Sequence, residues 1–546
     1  MTEWLLSGHN TQETTGVARP VTVTMTSAGL DAQIDRFLGE LAGDTSDFDF
    51  SLRPTAVVQG RLYLNIDYYV RNMGLVVPFD PESVGAPVDL VTSDQKPPLK
   101  RSLALPGRFR RVYRWATHFY REELPALDAE LRELHWVLRD GPEEPLPLIQ
   151  RLFDPEFYAR SRQTDRAHIV IALTITSLDG VLRQRAPELL GLFVGQETTT
   201  SLIGQRIWEL RELAEQCGPE VTEKLRAGVV DLEVYRALPA AAPLVVAVEA
   251  FLHEYGHRGF RYEADFETER LADRPEHVLM TVAGQLAETR SPQARAEAAR
   301  EMALQALRKM NPLKRALWRR VLGWGQRLIS WREDSKSNIA LRQAVYGQAA
   351  RLLARHFYPE RTDDWLMFYT LDEFIAFVRS GGEARVAEKI LEHCRADFEL
   401  HQTQIAPPEL IWYDPETRHW RPARKAQPGG DETEWRFQGI PASAGEGVVE
   451  GLAVVTNDPF EAARRLLATS GVVILVTRLT DPAWSSLFAG LAGVVTELGG
   501  VISHAAIVAR ENGLPAVVGI PEITQKIHDG QRVRVNGKTG VVEVLT

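Results

Sequence analysis

The sequence predicts a multidomain protein with a large, mostly α-helical body and a compact C-terminal β/β/α domain. Three observations carry this. From about Arg108 onward apolar residues recur at helical spacing, as in Leu124, Leu127, Leu131 and Leu134. After residue 437 short β-branched runs alternate with short helix-forming stretches. Between them, residues 421–436 hold Pro422, Pro428, Gly429, Gly430 and several charges, which reads as a linker. The domain boundaries that follow are 1–420 for the body, 421–436 for the linker and 437–546 for the C-terminal domain.

Bulk properties narrow the function. The 546 residues suffice for two or more full cores. Charged residues at 25% and hydrophobic ones at 44% are ordinary for a globular chain. A net charge of −10 argues against broad nucleic-acid binding. Cys217 and Cys394 stand far apart without metal-ligand spacing and read as reduced thiols. The N-terminus has no basic segment leading into an apolar one, so no secretory signal is expected. The longest apolar run, 240–252, is broken by Pro243 and Glu249 and is too short for a membrane span. The expectation is a cytoplasmic protein with no nucleic-acid partner, no membrane partner and no metal site of its own.

In chain order, the first hundred residues are mixed. A helix is expected over 31–41 and a strand over Gly60–Tyr68, where apolar residues alternate. Helices then continue through about Leu213, followed by Val221–Leu238, Ala242–Tyr255, Pro292–Lys309, Leu313–Lys336, Ile339–His356 and Leu371–Arg379. In the C-terminal domain the expected strands include Gly471–Thr477, Gly493–Thr496 and Ala516–Val518. Expected helices cover 481–489 and Ile523–His528. Asn536-Gly537 between apolar runs signals a hairpin.

The most informative stretch runs from Thr496 to Gly519. Gly493–Thr496 is a buried-strand pattern, Gly499-Gly500 permits a tight turn, Ser503 can cap, and Ala505–Glu511 is good helix sequence. His504 therefore sits at the first turn of a helix. Unpaired N–H groups and the positive end of the dipole favour an anion there. A neutral imidazole at such a place can attack a phosphoryl group. It can equally be a His that merely caps a turn.

These residues resemble the phosphohistidine, or swivelling, domain of the dikinase-type PEP-utilising enzymes. The group includes phosphoenolpyruvate synthase, pyruvate phosphate dikinase, rifampicin phosphotransferase and phenylphosphate synthase. The likeness lies in Gly499-Gly500, Ser503-His504-Ala505-Ala506, Val508-Ala509-Arg510-Glu511 and Gly513-x-Pro515-Ala516-Val517-Val518-Gly519. The synthases carry Thr two places before the His, whereas this chain has Ile502. Rifampicin-type members also lack that Thr. The resemblance implies that His504 is the phosphoryl carrier and that Gly499, Gly500, Ser503 and Arg510 form its loop.

Two stretches of the body resemble the acceptor-binding domain of rifampicin phosphotransferase-like enzymes. The first is Tyr255-Gly256-His257-Arg258-Gly259, then Glu263, Asp265, Arg270 and Pro275. Its spacing is one residue longer than in the family, and Leu271 stands where Trp is usual. The resemblance implies that His257, Arg258, Glu263, Asp265 and Arg270 bind substrate. A buried Arg–carboxylate network reads equally well. The second is Trp331-Arg332-Glu333-Asp334-Ser335-Lys336. Arg332 and Lys336 are i, i+4 like charges, which repel unless an anion lies between them. By resemblance Arg332 and Lys336 would steady the phosphoryl group and Glu333 would act as base, with His257 in reserve. An ordinary charged face remains open, and Trp318, Trp324 and Trp331 read first as core.

The expected function is the phosphohistidine-carrying subunit of an ATP-dependent dikinase-type phosphotransferase. By resemblance a separate ATP-grasp subunit would bind ATP with Mg²⁺ and load His504, which would pass the phosphoryl group to a phenol-like or other organic hydroxyl. Nothing before Arg108 is long or glycine-rich enough for an ATP-grasp fold, and no P-loop glycine pattern occurs. The alternatives are a phosphocarrier or regulatory protein without a small-molecule acceptor and, ranked last, a self-contained kinase.

Overall fold

The computed structural model describes residues 3–7, 17–25, 27, 31, 34, 49, 51–72, 105–186, 189, 192, 198–259, 266, 270–286, 291–403, 410–414, 417, 419–422, 435–445, 447–469, 471–480, 484, 487–499 and 503–545. The expected helix over 31–41 and linker positions 423–434 lie outside them, as do Glu263, Asp265, Gly500 and Ile502. Among the described residues no helix is long and apolar enough to cross a membrane.

Contacts divide the chain into two compact units. One holds Met1–Ser177, Tyr262–Thr268 and Asp334–Ala426; the other holds Leu178–Arg261, Glu269–Glu333 and Gln427–Thr546. The expected boundary at 421–436 follows the chain, whereas this division follows packing.

The first unit opens on a five-stranded antiparallel sheet, in the order β2-β3-β1-β4-β5. Its strands are β1 (Glu3–Ser7), β2 (Thr55–Val58), β3 (Arg61–Asn65), β4 (Leu410–Tyr413) and β5 (Trp420–Pro422). The strand expected to reach Tyr68 stops at Asn65 because the Asn65 side chain accepts from the Tyr68 N–H at 3.2 Å. That bond caps α1 (Ile66–Asn72). The helices that follow are α2 (Leu105–His118), α3 (Leu124–Arg139), α4 (Pro145–Leu152), α5 (Pro155–Ser161) and α6 (Gln163–Arg185). A π-helical turn, Phe119–Glu123, joins α2 to α3.

The second unit contains α7 (Thr199–Gln216), α8 (Pro219–Arg226), α9 (Leu232–Arg236), α10 (Ala242–Tyr255), α11 (Pro275–Gln285) and α12 (Pro292–Lys309). The single helix expected over Val221–Leu238 is two. Gly228 adopts φ +77°, and the Asp231 carboxylate caps α9 by accepting from Glu233 N–H at 2.9 Å. The opposite correction applies to 313–356, where one helix of 46 residues, α13 (Pro312–Phe357), replaces two. Asn338, between the two expected helices, accepts from Thr164 at 2.9 Å and donates to Asp128 at 2.9 Å. Its amide is thereby occupied without leaving the helix. α14 (Leu371–Arg379) and α15 (Glu388–Thr403) complete the helical part of the first unit.

The C-terminal domain, within the second unit, is built on an eight-stranded mixed sheet ordered β6-β13-β12-β8-β9-β10-β11-β7. Its strands are β6 (Arg436–Gln438), β7 (Ile440–Ser443), β8 (Val448–Val455), β9 (Val473–Thr477), β10 (Gly493–Thr496), β11 (Ala516–Val518), β12 (Arg532–Asn536) and β13 (Val541–Leu545). β8, β9, β10 and β11 run parallel to one another. The rest pair antiparallel. Three short helices accompany the sheet: α16 (Pro459–Ala468), α17 (His504–Glu511) and α18 (Ile523–Lys526). The described part of the helix expected over 481–489 is a 3₁₀ turn, Leu487–Gly490. The expected hairpin forms between β12 and β13, but its loop is Gly537–Gly540. Asn536 accepts from Lys538 N–H at 3.0 Å and Thr539 N–H at 3.1 Å there.

Candidate active site

The carboxyl ends of β9 and β10 form the floor of the site, the end at which open parallel sheets place ligands. The chain leaves β10 through Gly499, whose φ is +115°. A Cβ there would lie 2.8 Å from Ser503 Cβ, so only glycine fits. Ser503 caps α17 by accepting from Ala506 N–H at 3.3 Å. His504 is the first residue of that helix and is 5% exposed. Its Nδ1 lies 3.0 Å from Thr480 Oγ1, on the segment leaving β9. The Phe488 ring stands edge-on to the imidazole, with centroids 6.1 Å apart. The ring is thus held through Nδ1.

Thr480 and Phe488 are contacts of His504 that sequence reasoning missed. A signal existed: Thr480 follows β9 as His504 follows β10, and adjacent parallel strands deliver both to one edge. Arg510 lies in the last turn of α17, about 9 Å along the axis from His504 at 1.5 Å per residue. Its Nε donates to the carbonyls of Ala442 at 3.1 Å and Ala506 at 3.0 Å. It ties α17 to β7.

The body motifs are organised differently. Segments 255–259 and 270–273 meet through a bridge between Gly259 and Arg270. Leu271 N–H donates to the Arg258 carbonyl at 2.9 Å and Ala272 N–H to the Gly256 carbonyl at 3.0 Å. The Arg270 guanidinium donates to the His257 carbonyl at 3.3 Å. His257, Arg258 and Arg270 are all buried, and Leu271 joins the apolar cluster of α7 to α11. Where the family carries Trp, this chain therefore uses the position for packing.

On α13, Arg332 Nη2 donates to Glu333 Oε1 at 2.8 Å, and both side chains are buried. The anion that Arg332 needs is thus supplied by its own neighbour. Lys336 follows one turn later on the same helix and is partly buried. Trp318 packs against the cluster of Leu304, Leu307 and Leu322, as its spacing suggested, while Trp324 carries the Arg320 guanidinium 5.6 Å from its ring centre.

Within the first unit α6 and α13 share a buried polar seam that sequence reasoning also missed. Ser335 Oγ lies 3.1 Å from His168 Nδ1, and Arg342 donates to Asp165 at 2.5 Å and to the Ser161 carbonyl at 2.6 Å. Burial pushes the Asp165 carboxyl up, but Arg162 and Arg342 outweigh it and hold the group below the usual carboxylate range. Tyr120, in the π-helical turn, has its phenol pushed up by burial. The spacing Ser335, Asn338, Arg342 against Thr164, Asp165, His168 was the available signal. Among the described residues no group of three or more His, Cys, Asp or Glu side chains could hold a metal ion.

Parts of the chain are similar to known proteins. Residues 470–540 match the mobile domain of PEP-utilising enzymes, and residues 166–333 match the fourth domain of rifampicin phosphotransferase. The chain is 33% identical to a rifampicin phosphotransferase of Streptomyces sviceus over 351 residues, covering 60% of this chain and 38% of that protein. It is 30% identical to the Bacillus cereus rifampicin phosphotransferase over 315 residues, 55% of this chain and 34% of that protein. It is 37% identical to a phosphoenolpyruvate synthase of Aeropyrum pernix over 171 residues, 29% of this chain and 20% of that protein. These matches thus span well under half the length of the relatives. With both domain types present, the chain fits the dikinase-type PEP-utilising enzyme family.

Proposed function

We propose that this chain carries a phosphoryl group on His504 and passes it to the hydroxyl of an organic acceptor. The observation that carries the reading is the Thr480–His504 contact at the N-terminus of α17. In the tautomer that donates from Nδ1–H to Thr480 Oγ1, the lone pair stands on Nε2. Nε2 then attacks phosphorus as the phosphorus–oxygen bond of the donor breaks. The helix N-terminus favours the charge of the phosphoryl oxygens.

Loading is assigned to an ATP-grasp polypeptide separate from this chain. ATP and water would give AMP and phosphate, with the β-phosphoryl left on His504. Mg²⁺ is assigned with ATP to that partner. In transfer, Arg332 and Lys336 steady the phosphoryl charge. Arg332 is held by Glu333 beforehand, so an arriving phosphoryl group competes for the guanidinium. That competition loosens Glu333, whose carboxylate takes the proton of the acceptor hydroxyl. A phenol-like alcohol is the leading acceptor class. His257, Arg258 and Arg270, with Glu263 and Asp265, are assigned to acceptor binding.

One observation favours the phosphocarrier alternative: Arg332 and Glu333 already satisfy each other, as a structural pair would. The test is labelling with β-labelled ATP in the presence of a co-expressed ATP-grasp protein. Acid-labile label is expected on the parent chain and none on His504→Ala. Label retained in that variant would refute the assignment. Label that forms but never leaves on addition of phenols or other alcohols would favour the carrier.

A further inference from the structure

Residues 302–331 hold seven lysine and arginine side chains and no aspartate or glutamate, in a chain whose net charge is −10. The stretch is the end of α12, the turn after it and the start of α13. Leu307 and Leu322 lie in one buried cluster, with Leu304 and Trp318 packed against it, and these hold the two helices together. Polar bonds fix the turn. Asn311 accepts from Lys314 N–H at 2.8 Å, which caps α13, and Arg315 donates to the Met310 carbonyl at 3.0 Å.

Leu313 and Leu317 take no part in that packing. They are 85% and 62% exposed, and Leu313 is the most exposed large apolar side chain among the described residues. Helical spacing puts them, with Arg320 and Trp324, on the side of α13 opposite Leu322. The Arg320 guanidinium lies 5.6 Å from the centre of the Trp324 ring. Arg308 reaches back to Glu301 at 3.4 Å. Lys309, Lys314 and Arg319 are exposed at the same end of the hairpin, and none of the three has an ion-pair partner among the described residues.

A single exposed leucine is ordinary, but two on one face among unneutralised cations form a different pattern. The cations call for an anionic partner and the leucines for an apolar one, at the same spot. An acidic polypeptide would meet both across a standard interface, which takes about 20–30 residues a side. The surface here is smaller: eight of the ten residues 311–320 are exposed, and after them α13 becomes progressively buried. A lipid surface needs no matching shape. It takes leucines at the boundary of the acyl chains and cations among the headgroup phosphates. The remainder of the chain is acidic and is repelled by such a surface, which leaves this end to make the contact.

We infer that the turn between α12 and α13 is a docking surface for an anionic lipid membrane. Leu313 and Leu317 enter the boundary between headgroups and acyl chains, and Lys309, Lys314, Arg319 and Arg320 pair with lipid phosphates. This is attachment to a surface. The expectation of no membrane partner rests on the lack of a span, and no helix among the described residues is one. The inference goes beyond the function proposed above and does not depend on it.

The test is flotation of the full chain with vesicles of equal parts phosphatidylcholine and phosphatidylglycerol, beside vesicles of phosphatidylcholine alone. The parent chain is expected to float with the anionic vesicles and not with the neutral ones. It is expected to be released in about 1 M salt, where the screening length falls to about 3 Å. Lys314→Gln with Arg319→Gln is expected to weaken binding about 25-fold, at about fivefold per cation. Leu313→Gln with Leu317→Gln is expected to weaken it about a hundredfold or more, the effect of two leucines no longer buried. All four positions are exposed, so both variants are expected to keep the parent's circular dichroism and thermal midpoint. A parent chain that stays unbound to the anionic vesicles would overturn the proposal, as would flotation that survives the leucine substitutions. Binding to poly-L-glutamate without flotation would assign the surface to an acidic polypeptide instead.

Discussion

Thr480→Val is the most direct probe of the candidate site. The substitution keeps the shape and removes the hydroxyl 3.0 Å from His504 Nδ1. Both residues are buried, at 1% and 5% exposure, so water does not readily replace the lost partner. Leaving a buried ring nitrogen unsatisfied costs about 1–3 kcal/mol. If that cost falls on the reactive tautomer, each 1.36 kcal/mol is tenfold in rate, and loading slows by roughly 5–150-fold. Two assays read this. The first is the rate of acid-labile labelling of His504 with an ATP-grasp partner. The second is ¹⁵N NMR of the His504 ring, which reports the tautomer without any phosphoryl donor. A mixed or inverted tautomer population is expected in the variant. Loading within twofold of the parent rate, with the Nδ1–H tautomer retained, would show that Thr480 does not orient the ring.

Glu333→Gln is expected to load His504 normally and to slow transfer by about 10²–10⁴-fold, the usual contribution of a general base; single-turnover assays starting from phosphorylated chain separate the two steps. Gly499→Ala is expected to abolish loading while leaving the domain folded by circular dichroism, since a Cβ there meets Ser503 at 2.8 Å. Asp165→Ala is expected to cost about 3–5 kcal/mol by urea unfolding, because it strands the buried Arg162 and Arg342 charges. The folded-state pKa of Asp165 is lowered, so its stabilisation is present above the unfolded value of about 3.9 and fades as pH falls through the folded one. The gap between parent and variant should therefore close in acid, and a gap unchanged to pH 2 would contradict the pairing.

What was legible in the sequence was whatever local rules decide. The strand Gly493–Thr496, the cap Ser503, the glycine turn and the start of α17 at His504 follow from propensity and capping alone. Pro292–Lys309 and Leu371–Arg379 were equally readable, because proline at N1 and a Thr370–Glu373 capping box mark their starts. What stayed hidden depends on partners distant in sequence. Asn338 continues a helix only because Thr164 and Asp128 occupy its amide. Thr480 acquires meaning only once β9 and β10 lie side by side. Arg332 and Glu333 are adjacent, a spacing that does not by itself bring side chains together on a helix.

The C-terminal domain carries a core of its own. One apolar cluster, from Phe437 through Ile474 and Val495 to Val544, draws every residue from that domain. The reactive helix, its glycine turn and Thr480 belong to the same domain, so the geometry around His504 is set within it.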